Sequence, residues 1–589
     1  MSKVCVRKAR FHVCTAVVVV GFFLLCGRLY FLQVVRAESI AEEVESARKR
    51  VVRMEAKRGD ILDRHGNLLA GTRSEILLGA DPQVVDTSDT EQIALLAGIL
   101  DQPFTEIAEK LNRRERIDSK GVKREVRWVP LAEIDEDLYA AVQALDMQGV
   151  YGNRRYERYY PGRELAAHVI GFINKEQTPV MGVEHALDYY LHGQAGWRET
   201  EVDGLRRELA AFREREVAPR NGMHVELTID LFVQSVIESA LQQLVEEVTP
   251  AGASIIVSDP TSGEILGMAN YPTFDPNTFW EFPLENQRNR ALTDQYEPGS
   301  TFKIVPVAAG LEEGIIGPES EFDCGMEVCV FNNVTIRLPS DHRNLGVVPV
   351  KTIVTKSSNR GAAQIGMRLG EQRMYDYASR FGFGKPVGWP LSGEINGSLP
   401  TVDKWDGLTI SRLPTGYAVG ATAIQVHQAM STIANDGVRL RPRILKRVID
   451  PVEELSMPLE PVKGERILSV TTARLMREML VSVVSPEGTA RRAALPGYLV
   501  AGKTGTSRKI INGQYSLTNH VGSFSGFFPA SKPKVVITVV VDDGKVSGPA
   551  YGGVVAAPVF RSIGEKLIPH LAIRKPEKWE PFIVSNDSF

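Results

Sequence analysis

This 589-residue chain has no basic domain, no histidine-rich motif and little cysteine. Its formal net charge is −3, so the electrostatic footprint of a nucleic-acid binder is missing. The ten His are scattered, without the H-E-x-x-H type of spacing that marks a zinc site. No Gly-x-Ser-x-Gly elbow occurs: Gly522-Ser523-Phe524-Ser525-Gly526 puts Phe at the centre. Of the five Cys, Cys5, Cys14 and Cys26 lie in or beside an N-terminal apolar segment. Cys324 and Cys329 form the only other pair, and in an oxidising compartment such a C-x4-C pair can close a small disulfide loop. The remaining composition, 43% hydrophobic and 24% charged, is that of a globular protein. Its length calls for two or three domains.

One apolar segment stands out. Lys3, Arg7, Lys8 and Arg10 precede a run from Phe11 to Gly27, and apolar character resumes after Arg28 through Leu32 and Val34-Val35. No convincing A-x-A cleavage site follows. Taken over 11–35, the segment is long enough for a hydrocarbon core of ~30 Å. Basic residues before it, and Glu38, Glu42, Glu43 and Glu45 after it, favour an uncleaved anchor with its N-terminus inside. Arg28 has two readings. It snorkels to the outer headgroups, or it serves contact with another membrane protein.

Three short motifs, each weak singly, stand in one order along the chain: Ser300-Thr301-Phe302-Lys303, Ser357-Ser358-Asn359 and Lys503-Thr504-Gly505-Thr506. Ser-x-x-Lys recurs at Ser46/Lys49 and Ser531/Lys534, but the first is in a charged stretch and the second encloses Pro533. A serine hydroxyl needs a base within hydrogen-bond reach to act as a nucleophile. Glu297-Pro298-Gly299 reads as a turn before the apolar run Ile304–Leu311, which puts Ser300 at a helix start with Lys303 one turn on. Apolar neighbours Phe302, Ile304 and Val305 disfavour the Lys303 ammonium and make it a proton acceptor. Pro306 predicts a bend or irregularity. Tyr498–Ala501 reads as a strand before Lys503, whose edge can align an extended peptide, with Gly505 allowing close approach. Gly497 to Thr504 also spells the phosphate-loop pattern G-x-x-x-x-G-K-[ST]. Pro496 before it and Gly505-Thr506-Ser507 after it supply neither the strand nor the helix that such a loop needs.

Taken in order, the motifs resemble the active-site set of penicillin-recognising serine enzymes, the group of penicillin-binding proteins and serine β-lactamases. The resemblance implies catalytic roles for Ser300, Lys303 and Ser357, with Ser357 relaying the proton. Asn359 would hold a substrate amide, and Lys503, Thr504, Gly505 and Thr506 would receive the substrate's terminal carboxylate. The backbone amides of Ser300 and Thr506 would form the oxyanion hole.

Further segments are similar to the non-catalytic domain of class B penicillin-binding proteins. They are Arg58-Gly59 through Asp63-Arg64 and Gly66, Tyr159 to Gly171, and Met181 to Gly196. Their charged residues read as structural ion pairs. The expected fold is α+β: tail 1–10, transmembrane helix 11–35, a charged helical connector 36–55, and an elongated, dimerisation-like pedestal 56–220 carrying 74–150 as an inserted head. The transpeptidase domain 221–570, an antiparallel sheet covered by helices, and a tail 571–589 complete it. Leu231–Val248 reads as a helix, residues 253–269 as a hairpin, Val535–Val541 as a strand and Ala557 to about Lys566 as the closing helix.

Within class B, Lys503 to Lys509, His520 to Gly526 and Tyr551 to Phe560 look more like the division-specific transpeptidase than the elongation-specific one. Thr415 to Gln425 departs from the usual Thr-Pro-Leu-Gln stretch and keeps only Gln425. The resemblance implies a peptidoglycan D,D-transpeptidase of the inner membrane that is acylated by β-lactams and needs no metal or organic cofactor. Stem peptides are its substrate. The expected partners are a SEDS-class glycan polymerase and other division proteins, contacted through Arg28, Phe31 and Leu32. An elongation-specific role, a penicillin sensor or β-lactamase, and a silent scaffold are the rival readings. The intact Ser300, Lys303, Ser357 and Lys503 argue against the last.

Overall fold

The computed structural model describes residues 2–39, 49–117, 121–202, 208–209, 215–453, 455–458 and 463–575. Glu42, Glu43, Glu45, Ser46 and most of the C-terminal tail lie outside the described residues. The chain divides into two compact units, residues 1–57 with 193–221, and residues 58–192 with 222–589.

In the first unit a helix, Ser2–Tyr30, runs into a π-helical turn, Phe31–Val35. Lys8–Val35 is apolar enough to cross a membrane, with a mean hydropathy of 2.1. The helical connector expected over 36–55 is corrected at its end: Lys49–Met54 is a strand, antiparallel to Gly196–Val202. Its partner lies far along the chain, so local charge pattern carried no sign of the pairing. Arg215–Val217 continues the same small sheet.

In the second unit a seven-stranded sheet interleaves early and late chain. Ile61–Leu62 pairs antiparallel with Leu68–Ala80 and parallel with His224–Leu227, which in turn pairs with Leu445–Ile449. The charged residues near its start form a buried network. Glu184, 0% exposed, accepts from Arg58 Nε at 2.8 Å and Arg158 Nε at 2.6 Å. Arg158 also donates to the Gly59 carbonyl at 2.8 Å, and Tyr160 Oη reaches Glu184 at 3.3 Å. The ions pair with each other and with main chain, as a structural role requires.

The sheet that carries the site is five-stranded and wholly antiparallel. Its strands are β1 (Gly252–Ser258), β2 (Ile265–Tyr271), β3 (Ala501–Ile511), β4 (Gln514–Phe528) and β5 (Val535–Asp542), in the order β2-β1-β5-β4-β3. Both faces are covered, so every residue of β1 is buried and alternate residues face different cores. Ile255 and Val257 join the larger core, and Ile256 joins another. Helices Leu231–Val248 and Ala557–His570 cover one face; Ala423–Ala434 crosses the other, where His427 bonds Ser258 and Thr538. Asp230 caps Leu231–Val248 by accepting from Phe232 N and Val233 N. Edge strand β3 is left free to meet the helices that carry the other two motifs.

Glu184→Ala should destabilise this unit by about 3–5 kcal/mol, because two guanidinium groups lose their shared buried carboxylate. Urea unfolding of the full chain measures it. A loss under about 1 kcal/mol would mean that the network contributes no more than a surface ion pair.

Candidate active site

Ser300 lies on a 3-10 turn, Gly299–Lys303, which leads into the α-helix Ile304–Glu312. A 3-10 turn has three residues per turn, so Ser300 and Lys303 eclipse one another more closely than in an α-helix. Thr301 Oγ1 donates to the Pro298 carbonyl at 2.8 Å, and Phe302 packs edge-on against Phe383 at 4.8 Å. These contacts pin both flanks of the turn. The bend expected at Pro306 is not an interior break. Pro306 occupies the first turn of its helix, where the missing N–H has no intrahelical acceptor to lose, and the irregularity is the 3-10 segment before it.

The second motif joins two helices. Ser357 ends Val350–Lys356 in the left-handed region, φ 59°, a conformation that disfavours side chains. Ser358 caps Asn359–Leu369, accepting from Gly361 N at 3.0 Å and donating to Asp341 Oδ2 at 2.6 Å. Asp341 also receives the Asn359 N–H. Asn359 is fixed at both ends: Nδ2 donates to the Ser340 carbonyl and Oδ1 accepts from Lys303 Nζ, each at 2.7 Å. Sequence reasoning missed Asp341, and nothing near it in the chain signals its role.

The third motif runs within β3, a correction to the strand expected over Tyr498–Ala501. Lys503-Thr504 therefore lies in an extended strand, followed by more strand, which removes the phosphate-loop reading. Gly505 and Gly299 make the close approach between strand and turn possible. A Cβ added to Gly505 would lie 2.8 Å from the Pro298 carbonyl oxygen, and one on Gly299 (φ +54°) 2.6 Å from that of Thr506. Because the Thr506 carbonyl faces the Gly299 turn, its N–H lies on the same free edge of the strand.

Two buried lysines meet at one hydroxyl. Lys503 Nζ donates to Ser357 Oγ at 2.9 Å, and Lys303 Nζ reaches the same oxygen at 3.3 Å. Lys303 Nζ also donates to the Ser357 carbonyl at 2.5 Å. The residues are 3% and 1% exposed for Lys303 and Lys503. Burial pushes the Lys303 ammonium down to about 7, against the opposing pull of Asp341. Burial and the neighbouring Lys303 together push Lys503 well down. Two ammonium groups on one neutral hydroxyl repel, so the arrangement favours loss of one proton.

Above the lysines lies a cavity of about 1260 Å³, lined by Ser300, Ser357, Asn359, Thr504, Gly505 and Thr506. Its wall is mostly basic, with Arg343, Arg412, Arg491, Arg492 and Arg508 against Asp341 and Glu487. That field suits an anionic ligand. Thr504 Oγ1 bonds Thr489 Oγ1 at 2.8 Å, and Thr506 Oγ1 accepts from Gly552 N at 3.2 Å. The geometry can support attack by Ser300 Oγ on a carbonyl, with a neutral amine, a second hydroxyl and main-chain donors nearby. Arg28, Phe31 and Leu32 belong to the N-terminal helical segment, where the Arg28 guanidinium lies 5.7 Å from the Phe31 ring centroid. The disulfide considered for Cys324 and Cys329 does not form; both are free. Cys324 packs in the largest core, whereas Cys329 lies in a small hairpin against a different cluster.

Residues 253–565 match the family described as penicillin binding protein transpeptidase domain, and residues 53–227 match the penicillin-binding protein dimerisation domain. Stage V sporulation protein D of Bacillus subtilis is 32% identical over 584 residues, covering 98% of this chain and 88% of that protein. Peptidoglycan D,D-transpeptidase FtsI of Escherichia coli is 30% identical over 564 residues, covering 94% of this chain and 90% of that one. Among solved structures, penicillin binding protein 3 from Mycobacterium tuberculosis complexed with aztreonam aligns with a TM-score of 0.68 at 28% identity. The alignment covers 90% of this chain and 99% of that one.

The depressed Lys303 has a thermodynamic signature. Between about 7 and the unfolded value of about 10.4, the unfolded chain holds more protons, so this term makes stability rise with pH. The stability of the wild type relative to Lys303→Met should therefore increase from pH ~7 to ~10 in urea titrations. A difference that stays flat would mean that Lys303 keeps its ordinary pKa.

Proposed function

The chain belongs to the class B penicillin-binding proteins, and on that premise we propose that it is a peptidoglycan D,D-transpeptidase working through a Ser300 acyl-enzyme. The observation that carries this reading is the meeting of Ser300, Ser357, Asn359 and the Lys503 strand around one basic cavity above two buried lysines. Neutral Lys303 takes the proton from Ser300 Oγ as that oxygen attacks the carbonyl between two D-alanines of a stem peptide. The C–N bond breaks, and Ser357 relays the proton held by Lys303 to the leaving D-alanine amine. An amine from a neighbouring stem then attacks the ester and releases Ser300, leaving the cross-link.

The remaining residues bind and polarise. Lys503, with Thr504 and Thr506, receives the terminal carboxylate, whose charge restores the lysine to its ammonium form. Asn359 holds the substrate amide, and the edge of β3 aligns the extended peptide beside Gly505. The N–H groups of Ser300 and Thr506 stabilise the oxyanion, which the shared edge of turn and strand supports. A β-lactam presents a strained amide and a carboxylate to the same groups and acylates Ser300.

We further place the protein in the inner membrane with its N-terminus cytoplasmic and its catalytic unit outside. The apolar Lys8–Val35 helix and the basic residues before it support that orientation. A septal role is favoured by the segments that resemble division enzymes, with a SEDS-class glycan polymerase as partner of Arg28, Phe31 and Leu32. The π-helical turn at Phe31–Val35 and the Arg28–Phe31 contact make that face unlike a plain anchor.

Mass spectrometry of the full-length protein after β-lactam treatment should find one adduct, on Ser300, and none in Ser300→Ala; an adduct on another residue overturns the assignment. The acylation rate should rise with pH through about 7 as Lys303 loses its proton, and fall by 10²–10⁴-fold in Lys303→Ala. A rate within about threefold of the wild type would remove Lys303 as the base.

Arg28→Leu should leave membrane insertion and β-lactam acylation unchanged while weakening co-purification with the polymerase and septal synthesis. Normal co-purification and normal division in that variant would leave Arg28 as a snorkelling residue only.

A further inference from the structure

Three side chains outside the catalytic cavity converge on one point. Asp230 Oδ2 lies 3.2 Å from His65 Nε2 and 2.9 Å from His570 Nε2. The ligand atoms of all three residues lie within 4.8 Å of one another. We propose that His65, Asp230 and His570 form a zinc site that clips together three distant segments of the catalytic unit.

Two imidazole nitrogens and one carboxylate oxygen are ligands of the type zinc takes, with a fourth position left for water. Tetrahedral zinc with ligand bonds of 2.0–2.2 Å sets its ligand atoms about 3.3–3.6 Å apart. The two histidine–aspartate separations already approach that range. Closing the remaining gap requires a turn of the His65 ring; the side chain is 56% exposed. That exposure also gives the ion a path in.

The ligands are held from behind. Asp230 Oδ1 accepts the N–H groups of Phe232 at 3.0 Å and Val233 at 3.1 Å, which fixes the carboxylate, and His570 Nε2 lies 3.0 Å from Oδ1 as well as 2.9 Å from Oδ2. Phe232 stacks on the His570 ring at 4.3 Å. The His65 turn is anchored by Asp63, which accepts from His65 N at 2.8 Å and from Leu231 N at 3.1 Å. Supports of this kind orient metal ligands and raise affinity.

The site would close very long loops. His65 and Asp230 are 165 residues apart, and Asp230 and His570 are 340 apart. A clip between them ties the first hairpin of the unit and its closing helix to the capped start of Leu231–Val248, and it stabilises the folded state as metal binding does. None of the three residues belongs to the proposed acylation machinery, so the inference stands apart from that reading.

The test uses full-length protein in detergent, stripped with a chelator and titrated with Zn²⁺ alone. The wild type should bind one equivalent and gain several degrees in melting temperature. His65→Ala, His570→Ala and Asp230→Asn should each lose at least about tenfold in affinity and most of the thermal gain. Asn still caps a helix, so Asp230→Asn separates loss of the ligand from loss of the fold. Cobalt in place of zinc should give the visible absorption of a tetrahedral site in the wild type alone. No uptake by the wild type, or equal affinity in the wild type and all three variants, overturns the proposal.

Discussion

Lys303 and Lys503, both almost closed to water, share a single hydroxyl oxygen, that of Ser357. Much of the site follows from that constraint. Two ammonium groups so placed repel and are poorly solvated, so the least costly state has lost a proton. The surrounding acceptors keep the amine groups aimed: Asn359 Oδ1 and the Ser357 carbonyl hold Lys303, while Asp341 holds the helix end that carries Asn359. Ser357 tolerates its left-handed backbone because both its carbonyl and its hydroxyl are engaged. On the proposed mechanism, a substrate carboxylate arriving at Lys503 changes the balance and leaves Lys303 as the proton acceptor.

The same constraint explains the glycines around the nucleophile. Lysine side chains from a helix and a strand can meet one hydroxyl only if helix and strand approach closely. Gly505 and Gly299 allow it, and the Gly416 carbonyl accepts the Gly299 N–H at 3.1 Å on the other side of the turn. The free edge of β3 then faces the cavity beside Ser300. The large antiparallel sheet behind it supplies rigidity through strands buried on both faces.

What the sequence made legible was mostly local or carried by motif order. The helix Leu231–Val248, the β1–β2 hairpin and β5 follow from periodicity and turn residues, and the structure has them. The three motifs were named from their resemblance, taken in order, to a known active-site set, and residues of each line one cavity. Pairing between distant segments was not legible. Lys49–Met54 reads as charged and helical until Gly196–Val202 is placed beside it. Lys503 to Thr506 lies inside a strand because β4, which follows in the chain, extends it. Asp341 acts on a helix that begins at Asn359, and no local pattern announces such a contact. The scattered histidines illustrate the same limit, since His65 and His570 meet only through Asp230.

The most direct test of the shared-hydroxyl account is the protonation of the lysines themselves. The ¹⁵N resonances of lysine Nζ, recorded across a pH titration of lysine-labelled protein, report each group's charge. The account predicts a resonance that titrates near pH 7, far below the solvent-exposed lysines, and that is missing from Lys303→Met. Titration of every lysine near its ordinary value of about 10.4 would contradict it.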